Sequence, residues 1–520
     1  MSWDAIVVGS GINGLAAAVH LSAKGWKVLV LEQAAVPGGA VQTAEVTLPG
    51  FRHDLCAMNL SMFAGSPFFA THKERLLQAG LALVPVTHSF SSVLADGGWL
   101  GVDTDLAATT ARIAARSEED AQTWQAMARA FAADAPHLFA LMGSPMPSWQ
   151  LARALWRMWR AKGLPWCMQT ARMLLSSPRD WLSAHFEDDG VRALMGAWGL
   201  HLDFGPDVAG GALFPYLESM ANQNFGMALG QGGADTVIHA MVKAITQADG
   251  EVRTGSAVRS IDVAQGRASA VTLADGSQLG ARRAVIANVH PRQLYGALLS
   301  GGTSPPAAAA RLRPGPGTMM IHLALDALPQ WRASDELQRF AYVHVAPSLD
   351  AMARTYTEAM AGLLPAEPVL VVGQPTAHDA SRAPEGSHVL WVQVRVLPAD
   401  IRGDAAGQIQ GRHWDEIKDA YADRALALLE RHAPGLQSHI LARHVVSPLD
   451  LERANPNLIG GDSLSGSHHL DQFFLFRPAF GQSRWRTPVS QLYHVGASTW
   501  PGAGTGAASG FMLARDLAGA

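Results

Sequence analysis

Cysteine is nearly missing from this chain: Cys56 and Cys167 are the two present in 520 residues. They provide no disulfide framework and no Cys-x-x-Cys pair, so a metal knuckle and the dithiol chemistry of a disulfide reductase are both excluded. An excess of either charge is also lacking. The 40 basic and 44 acidic residues leave a formal net charge of -4, which gives no basic surplus for nucleic acid. No apolar run approaches the ~20 residues that span a bilayer. The first apolar strand begins a few residues after Met1 and leaves no room for a signal peptide, so the expected location is the cytoplasm. A Gly-x-Ser-x-Gly elbow and a Ser-His-Asp arrangement are absent, which disfavours hydrolysis. The adjacent His468 and His469 diverge and no carboxylate or cysteine pattern completes a ligand set, so no metal site is expected.

What is present begins at the N-terminus. The apolar strand Ala5-Ile6-Val7-Val8 runs into Gly9-Ser10-Gly11-Ile12-Asn13-Gly14, followed by a helix-period stretch from Leu15 to Ala23. A second strand, Val28 to Leu31, ends at Glu32. This order is a βαβ unit for a dinucleotide: Gly9 for the tight turn, Gly11 for approach of the pyrophosphate, Gly14 for close packing of helix on strand. Asn13 belongs to the same turn. The helix N-terminus offers free N–H groups to the pyrophosphate. Glu32 is placed to accept hydrogen bonds from a ribose diol, and it disfavours a 2′-phosphate. FAD and NAD both remain open from this unit alone. The doublet Gly38-Gly39 that follows resembles the extension of the fingerprint in FAD enzymes of the glutathione-reductase and amine-oxidase type.

A second glycine-rich device closes the chain. The apolar stretch Gln491 to Thr499 feeds Pro501-Gly502-Ala503-Gly504-Thr505-Gly506 and a final helical stretch from Ala507 to Leu517. Its backbone N–H groups are suited to the pyrophosphate, ribityl chain or pyrimidine edge of a flavin. Between the two ends lie the Gly230 to Gly233 loop, a helical stretch from Val237 to Ala248, and a hairpin signal at Asp275-Gly276.

With these motifs the chain resembles the phytoene desaturase and carotenoid isomerase group of FAD-dependent oxidoreductases, on the branch that contains pyridine nucleotide-disulfide oxidoreductase domain-containing protein 2. Further support comes from Pro37 to Ala40, Thr43-Ala44-Glu45, Pro49-Gly50-Phe51, Ser447 to Glu452, Leu470 to Gln472, Arg477-Pro478 and Trp485 to Pro488. The resemblance implies an α/β fold: a Rossmann-type FAD-binding domain interleaved with a substrate domain of mixed sheet and helical insert. FAD-binding pieces are expected at 1–85, 226–300 and 485–520, and substrate-domain pieces at 86–225 and 301–484. Implied cofactor contacts are Gly9, Gly11, Asn13, Gly14, Glu32, Gly38, Gly39, Val258, Gly496, Gly504 and Thr505. FAD should be held without a covalent link, because Cys56 and Cys167 lie outside the C-terminal segment.

Two positions depart from the group. Ala40 stands where carotene desaturases usually carry arginine, and Trp500 stands where histidine commonly precedes the Pro-Gly. Trp500 is therefore expected beside the flavin as an apolar wall of the substrate pocket, with little capacity to carry a proton. His53 and Asp54 are preferred as the base, since the group's segment after the doublet runs past the flavin. His201, Asp203, Tyr216, Glu218, His468, His469 and Asp471 have suitable chemistry too.

The expected activity is oxidation or desaturation of an apolar isoprenoid, polyene or fatty-chain metabolite by hydride transfer to flavin N5. Dioxygen or a quinone would take the electrons, since no second fingerprint for a nicotinamide cofactor follows. A flavin amine oxidase of the same fold and a non-catalytic FAD-stabilised interaction protein are the alternatives. From Trp149 to Lys162 a helical projection sets Leu151, Leu155, Met158 and Trp159 opposite Arg153, Arg157 and Arg160. Such a helix can rest on the anionic inner face of a membrane. The plain alternative is a surface helix with its leucines packed on the core.

Overall fold

A computed structural model describes residues 2–299 and 312–519. The expected domain boundary at 300/301 lies outside the described residues.

Two seven-stranded sheets organise the chain. In the first, the apolar strand Ser2–Val8 lies between Val28–Leu31 and Gln278–Ala287, parallel to both. Glu251–Arg253 extends the sheet beyond Val28–Leu31, and Leu492–His494 joins in parallel beside the end of Gln278–Ala287. The run Val258–Ala264, Arg267–Leu273 and Gln278–Ala287 is an antiparallel meander. Its second turn is the Asp275-Gly276 hairpin, where the Asp275 carboxylate accepts hydrogen bonds from the Ser277 N–H and hydroxyl at 2.8 and 2.7 Å. Both faces of the central strands are buried, which is why they read as unbroken apolar runs.

Helix Ile12–Ala23 packs on this sheet with nearly every residue buried. Its small residues set the spacing: a Cβ at Gly14 would stand 2.5 Å from the Gly9 carbonyl oxygen. The last helix, Ala508–Ala518, crosses the first so closely that a Cβ at Gly510 would meet the Asn13 carbonyl oxygen at 1.7 Å. The Asn13 side chain fixes that crossing, accepting from the Ser509 N–H and hydroxyl at 3.2 and 3.0 Å.

The second sheet runs in the order Ile440–Val446, Gly317–Leu325, His388–Leu397, Val369–Gly373, Tyr342–Val345, His88–Val93, Trp99–Asp103. Pleating divides its side chains by parity. Ile321, Leu323, Val343, Val345, Leu370, Val372, Leu390, Val392 and Val394 pack with Trp414, Tyr421 and Leu429 of helix Trp414–His432. The opposite parity sends Tyr342, Trp391, Gln393 and Arg395 toward the helices of residues 118–225. That face carries the functional interest. Leu83–Val86 and Met227–Gly230 form a separate antiparallel pair.

Helix Trp149–Leu175 is interrupted at Gly163, where φ is 78° and ψ is 169°. Ser148 caps it by accepting from the Leu151 N–H at 3.0 Å. Of the apolar side chains projected onto one face, Met158 is buried and Leu151 half-buried, while Leu155 and Trp159 stay exposed. Trp149 is 88% exposed and Trp156 58%. The helix therefore keeps much of its apolar surface free of the core. Among the described residues no helix is long and apolar enough to cross a membrane.

Candidate active site

The glycine turn is built as a cradle. Gly9 adopts φ +94°, a conformation that disfavours a side chain, and a Cβ there would sit 2.8 Å from the Asn288 carbonyl oxygen. Asn288, at the end of the neighbouring strand, pins the loop by donating from Nδ2 to the carbonyls of Gly9 and Gly11 at 3.3 and 3.2 Å. Glu32 is buried at the tip of its strand. Its Oε2 accepts from the Ser10 N–H and hydroxyl at 2.9 and 2.7 Å, and its Oε1 accepts from the Ala34 N–H at 2.9 Å. The Gly38 N–H in turn donates to Ser10 Oγ at 3.1 Å. One carboxylate thus ties the first glycine turn to the second, and it retains lone pairs for a diol.

The C-terminal loop is held from behind by Arg477. This guanidinium is fully buried and donates to the carbonyls of Ala497, Ser467, Leu464 and Gly466. Burial pulls it down to about 10, offset by the charge of Asp462. The surrounding acidic block is structural in the same sense. Lys418 pairs with Asp450 at 2.9 Å and Arg313 with Asp471 at 2.6 and 2.9 Å, while Asp450 completes a capping box with Ser447.

A cavity of 1640 Å³ joins these parts. A pocket for one small ligand occupies about 300–1,000 Å³, so this space accommodates a dinucleotide together with a second molecule. Gly9, Gly11, Asn13, Glu32, Gly38, Gly39, Val258, Gly496, Gly504 and Thr505 all line it. Gly14 stands behind that lining and serves the packing of helix on strand. Beyond the cradle the cavity continues between Leu213–Phe225 and the second sheet, past Leu217, Ala221, Phe225, Met58, Tyr342 and Trp391. Glu218 opens onto this chamber, and burial pushes its carboxyl up to about 7. A carboxyl titrating there is suited to accept or return a proton near neutrality. His201 and His468 also line the cavity. Burial pushes both imidazoles well below their ordinary value, so they are neutral.

Three expected catalytic positions need correction. Asp54 does not reach the cavity: its carboxylate accepts from Thr43 Oγ1 and the Ala234 N–H, both at 2.7 Å, and pairs with the buried Arg382 at 2.8 Å. It ties the short strand His53–Asp54 to Thr43, Ala234 and Arg382, away from the cavity lining. His53 is turned away beside it, within hydrogen-bond distance of Thr47 Oγ1 at 2.8 Å, with its ring against His322. Burial holds it down at about 4. Trp500 is fully buried behind the lining rather than in it. Its indole donates to the Ser144 carbonyl at 2.9 Å and packs on Phe473 and Phe474, leaving Pro501 to Ala508 as the actual wall. Of the remaining candidates, Asp203 and His469 form a separate cluster with Tyr356.

Residues 12–435 match the family model for flavin containing amine oxidoreductases. The chain belongs to that family. It is 28% identical to pyridine nucleotide-disulfide oxidoreductase domain-containing protein 2 of Mus musculus, over 99% of this chain and 94% of that protein. It is also 28% identical to a phytoene dehydrogenase of Streptomyces griseus, over 99% of this chain and 95% of the other. Among solved structures, an oxidoreductase from Methanosarcina mazei superposes with a TM-score of 0.63 at 18% identity, over 98% of this chain and 99% of that one.

As a member of the flavin containing amine oxidoreductases, the protein is an FAD-dependent oxidoreductase, and its residues fit the cofactor. The first turn and Glu32 would hold the adenosine diphosphate half, and Gly496 to Thr505 the flavin end. Cys56 lines the cavity from outside the C-terminal segment, and burial pushes its thiol up to about 12. At that value it is no nucleophile for a covalent tether. Arg477 belongs to the Arg477-Pro478 motif of the resemblance, though its role as the clamp of the C-terminal loop is not visible there, and Asn288, which pins the first glycine turn, has no local signature in the sequence.

Proposed function

We propose that the protein oxidises a carbon of an extended, largely apolar metabolite, an isoprenoid, polyene or fatty chain, by transfer of a hydride to flavin N5. The observation that carries this reading is the chamber beyond the glycine cradle, continuous with it and walled by Leu217, Ala221, Phe225 and Met58. FAD, when bound, supplies the hydride acceptor. The chain's own part is to align the substrate carbon, exclude water and manage the proton. Glu218 is the group we assign to that proton, because it lies in the chamber with its carboxyl at about 7. The electrons pass to dioxygen or a quinone, as one glycine fingerprint serves one dinucleotide. Likeness to a phytoene dehydrogenase supports an apolar substrate. An amine would enter as a cation and meet the half-buried Arg395 guanidinium in the cavity wall, which disfavours the amine oxidase alternative.

Delivery of such a substrate fits a membrane surface. Phe139, Phe225 and Met62 line the cavity and are also exposed, at 48%, 68% and 48%. Phe139 belongs to helix Glu118–Met142, which Lys162 of the neighbouring tryptophan-rich helix grips through Asp134 at 2.5 Å. Exposed Trp149, Trp156 and Trp159 with Arg153, Arg157 and Arg160 suit an anionic lipid interface.

Anaerobic mixing of the holoenzyme with isoprenoid, polyene, fatty-chain and amine panels tests the reading. Bleaching of the flavin by a member of an apolar panel is expected. Bleaching confined to amines would overturn it.

A further inference from the structure

We propose that Arg395 anchors a carboxylate carried at one end of an otherwise apolar substrate, an inference that rests on the chamber being the substrate's. Arg395 lies on strand His388–Leu397 on the same face as Trp391 and Gln393, and all three line the cavity. Its guanidinium is poorly satisfied. Nη2 donates to His201 Nδ1 at 3.2 Å and Nη1 reaches the His201 carbonyl at 3.5 Å, while Nε is buried with no partner among the described residues. No carboxylate there forms an ion pair with it, and the acid whose charge it feels, Asp462, is bound to the N–H groups of Gly315, Leu464 and Gly466.

Among the described residues, the two arginines with fully buried side chains show what is missing. Arg382 pairs with Asp54 and Asp379, and Arg477 donates to the carbonyls of four residues. Neither lines the cavity. A cation drawn out of bulk water without a counter-ion is costly, and Arg395, half-buried in the cavity wall with its Nε enclosed, stands where a ligand can supply one. Its neighbourhood is rich in donors. With His201 Nδ1 accepting from Arg395, the ring proton belongs on Nε2, and that atom has no partner among the described residues. The indole N–H groups of Trp198 and Trp391 are likewise unpartnered there. These rings are contiguous: Trp198 lies 4.7 Å from His201 and 6.4 Å from Tyr342, which stacks on Trp391 at 5.7 Å. Donors without acceptors along the wall that carries Arg395 match a group that only accepts, and a carboxylate is such a group.

Lys418, Asp450 and Glu218, which also line the cavity, do not serve instead. Lys418 and Asp450 pair with each other at 2.9 Å, and burial holds Glu218 up at about 7, so its carboxyl is substantially protonated at neutral pH. Arg395 keeps its charge, since burial lowers it only to about 10.

The test is direct binding to FAD-loaded enzyme of decanoate, decanol and decylamine, which share one chain and differ in the head group. Binding is read by calorimetry and by the shift of the flavin spectrum. Decanoate should bind roughly tenfold to a hundredfold more tightly than decanol, the range a charge-assisted hydrogen bond supplies, and decylamine least. Arg395→Met should bring decanoate to the level of decanol while leaving decanol binding and FAD content unchanged, and Arg395→Lys should recover part of the difference. Equal binding of acid and alcohol to the wild type, or loss of decanol binding together with decanoate in Arg395→Met, would overturn the anchor and leave oxidation of an apolar chain standing. Binding of none of the three would overturn the chamber reading and the anchor with it.

Discussion

Replacing Arg382 with methionine tests whether Asp54 is a structural clamp rather than a base. The Arg382 side chain is 0% exposed, and those of Asp54 and Asp379 are 1% and 5%. Nη1 reaches Asp54 at 2.8 Å, Nε reaches Asp379 at 3.1 Å, and Nη2 donates to the Gly230 carbonyl at 2.8 Å. Methionine fills much of the space but leaves two carboxylates without their cation. Breaking a buried pair from one side costs about 3–5 kcal/mol. Both acids keep other donors, Thr43 and Ala234 for Asp54, Ser381 and Gly232 for Asp379. The loss should therefore fall near the lower end, about 3 kcal/mol. Urea denaturation of the holoenzyme, followed by tryptophan fluorescence, measures it. Asp54→Asn should also destabilise, and the double variant should lose clearly less than the sum, because the two residues form one network. A loss under about 1 kcal/mol, the worth of an exposed pair, or strict additivity would refute the clamp. So would an Asp54→Asn enzyme of normal stability that no longer bleaches with substrate.

Glu32→Ala should keep the fold and weaken FAD roughly tenfold to a hundredfold, the value of one charge-assisted hydrogen bond, in a flavin fluorescence titration. Gly11→Val should be worse, since even a Cβ there stands 2.9 Å from Asn288 Nδ2; full flavin occupancy in both variants would contradict the cradle. If Glu218 takes the proton as a carboxylate, anaerobic bleaching should rise with pH through about 7 and then level off, because the active form is the deprotonated one. Glu218→Gln should remove that dependence along with most of the rate, and an unchanged pH profile would clear Glu218 of the role. The triple change of Arg153, Arg157 and Arg160 to glutamine should reduce co-sedimentation with anionic vesicles, each residue contributing about 1 kcal/mol near a charged surface. Equal pelleting of wild type with neutral and anionic vesicles would argue against the membrane contact.

What could be read in advance follows from how local each feature is. Gly9 to Gly14, Glu32 and the Gly38-Gly39 doublet lie within one short stretch, and the backbone conformation they require is written in the glycines themselves. The helix starts at Ile12 rather than Leu15, because Gly11 already provides the N-cap. The Gln491 to Thr499 stretch is a strand only from Leu492 to His494, since Gly496 at φ +122° turns the chain away. That turn and the fold of residues 144–148 decide where Trp500 goes, and neither is visible from its neighbours in sequence. The clamp on Asp54 is hidden for a related reason: its cation stands 328 positions away. Arg395 did leave a trace. In His388–Leu397, Trp391, Gln393 and Arg395 recur at every second position of an apolar strand, which marks one face as serving something other than the core. Glu218, within the largely apolar helix Leu213–Phe225, is a comparable signal.

The central claim is that a hydride leaves a carbon of an apolar chain for the flavin of this enzyme. It is tested most directly by anaerobic stopped-flow with a substrate that bleaches the flavin, used in ordinary form and deuterated at the reacting carbon. The account predicts slower bleaching with the deuterated compound and one oxidised product molecule for each flavin reduced. Equal rates for the two forms, or a flavin that stays oxidised in the presence of every apolar chain offered, would contradict it.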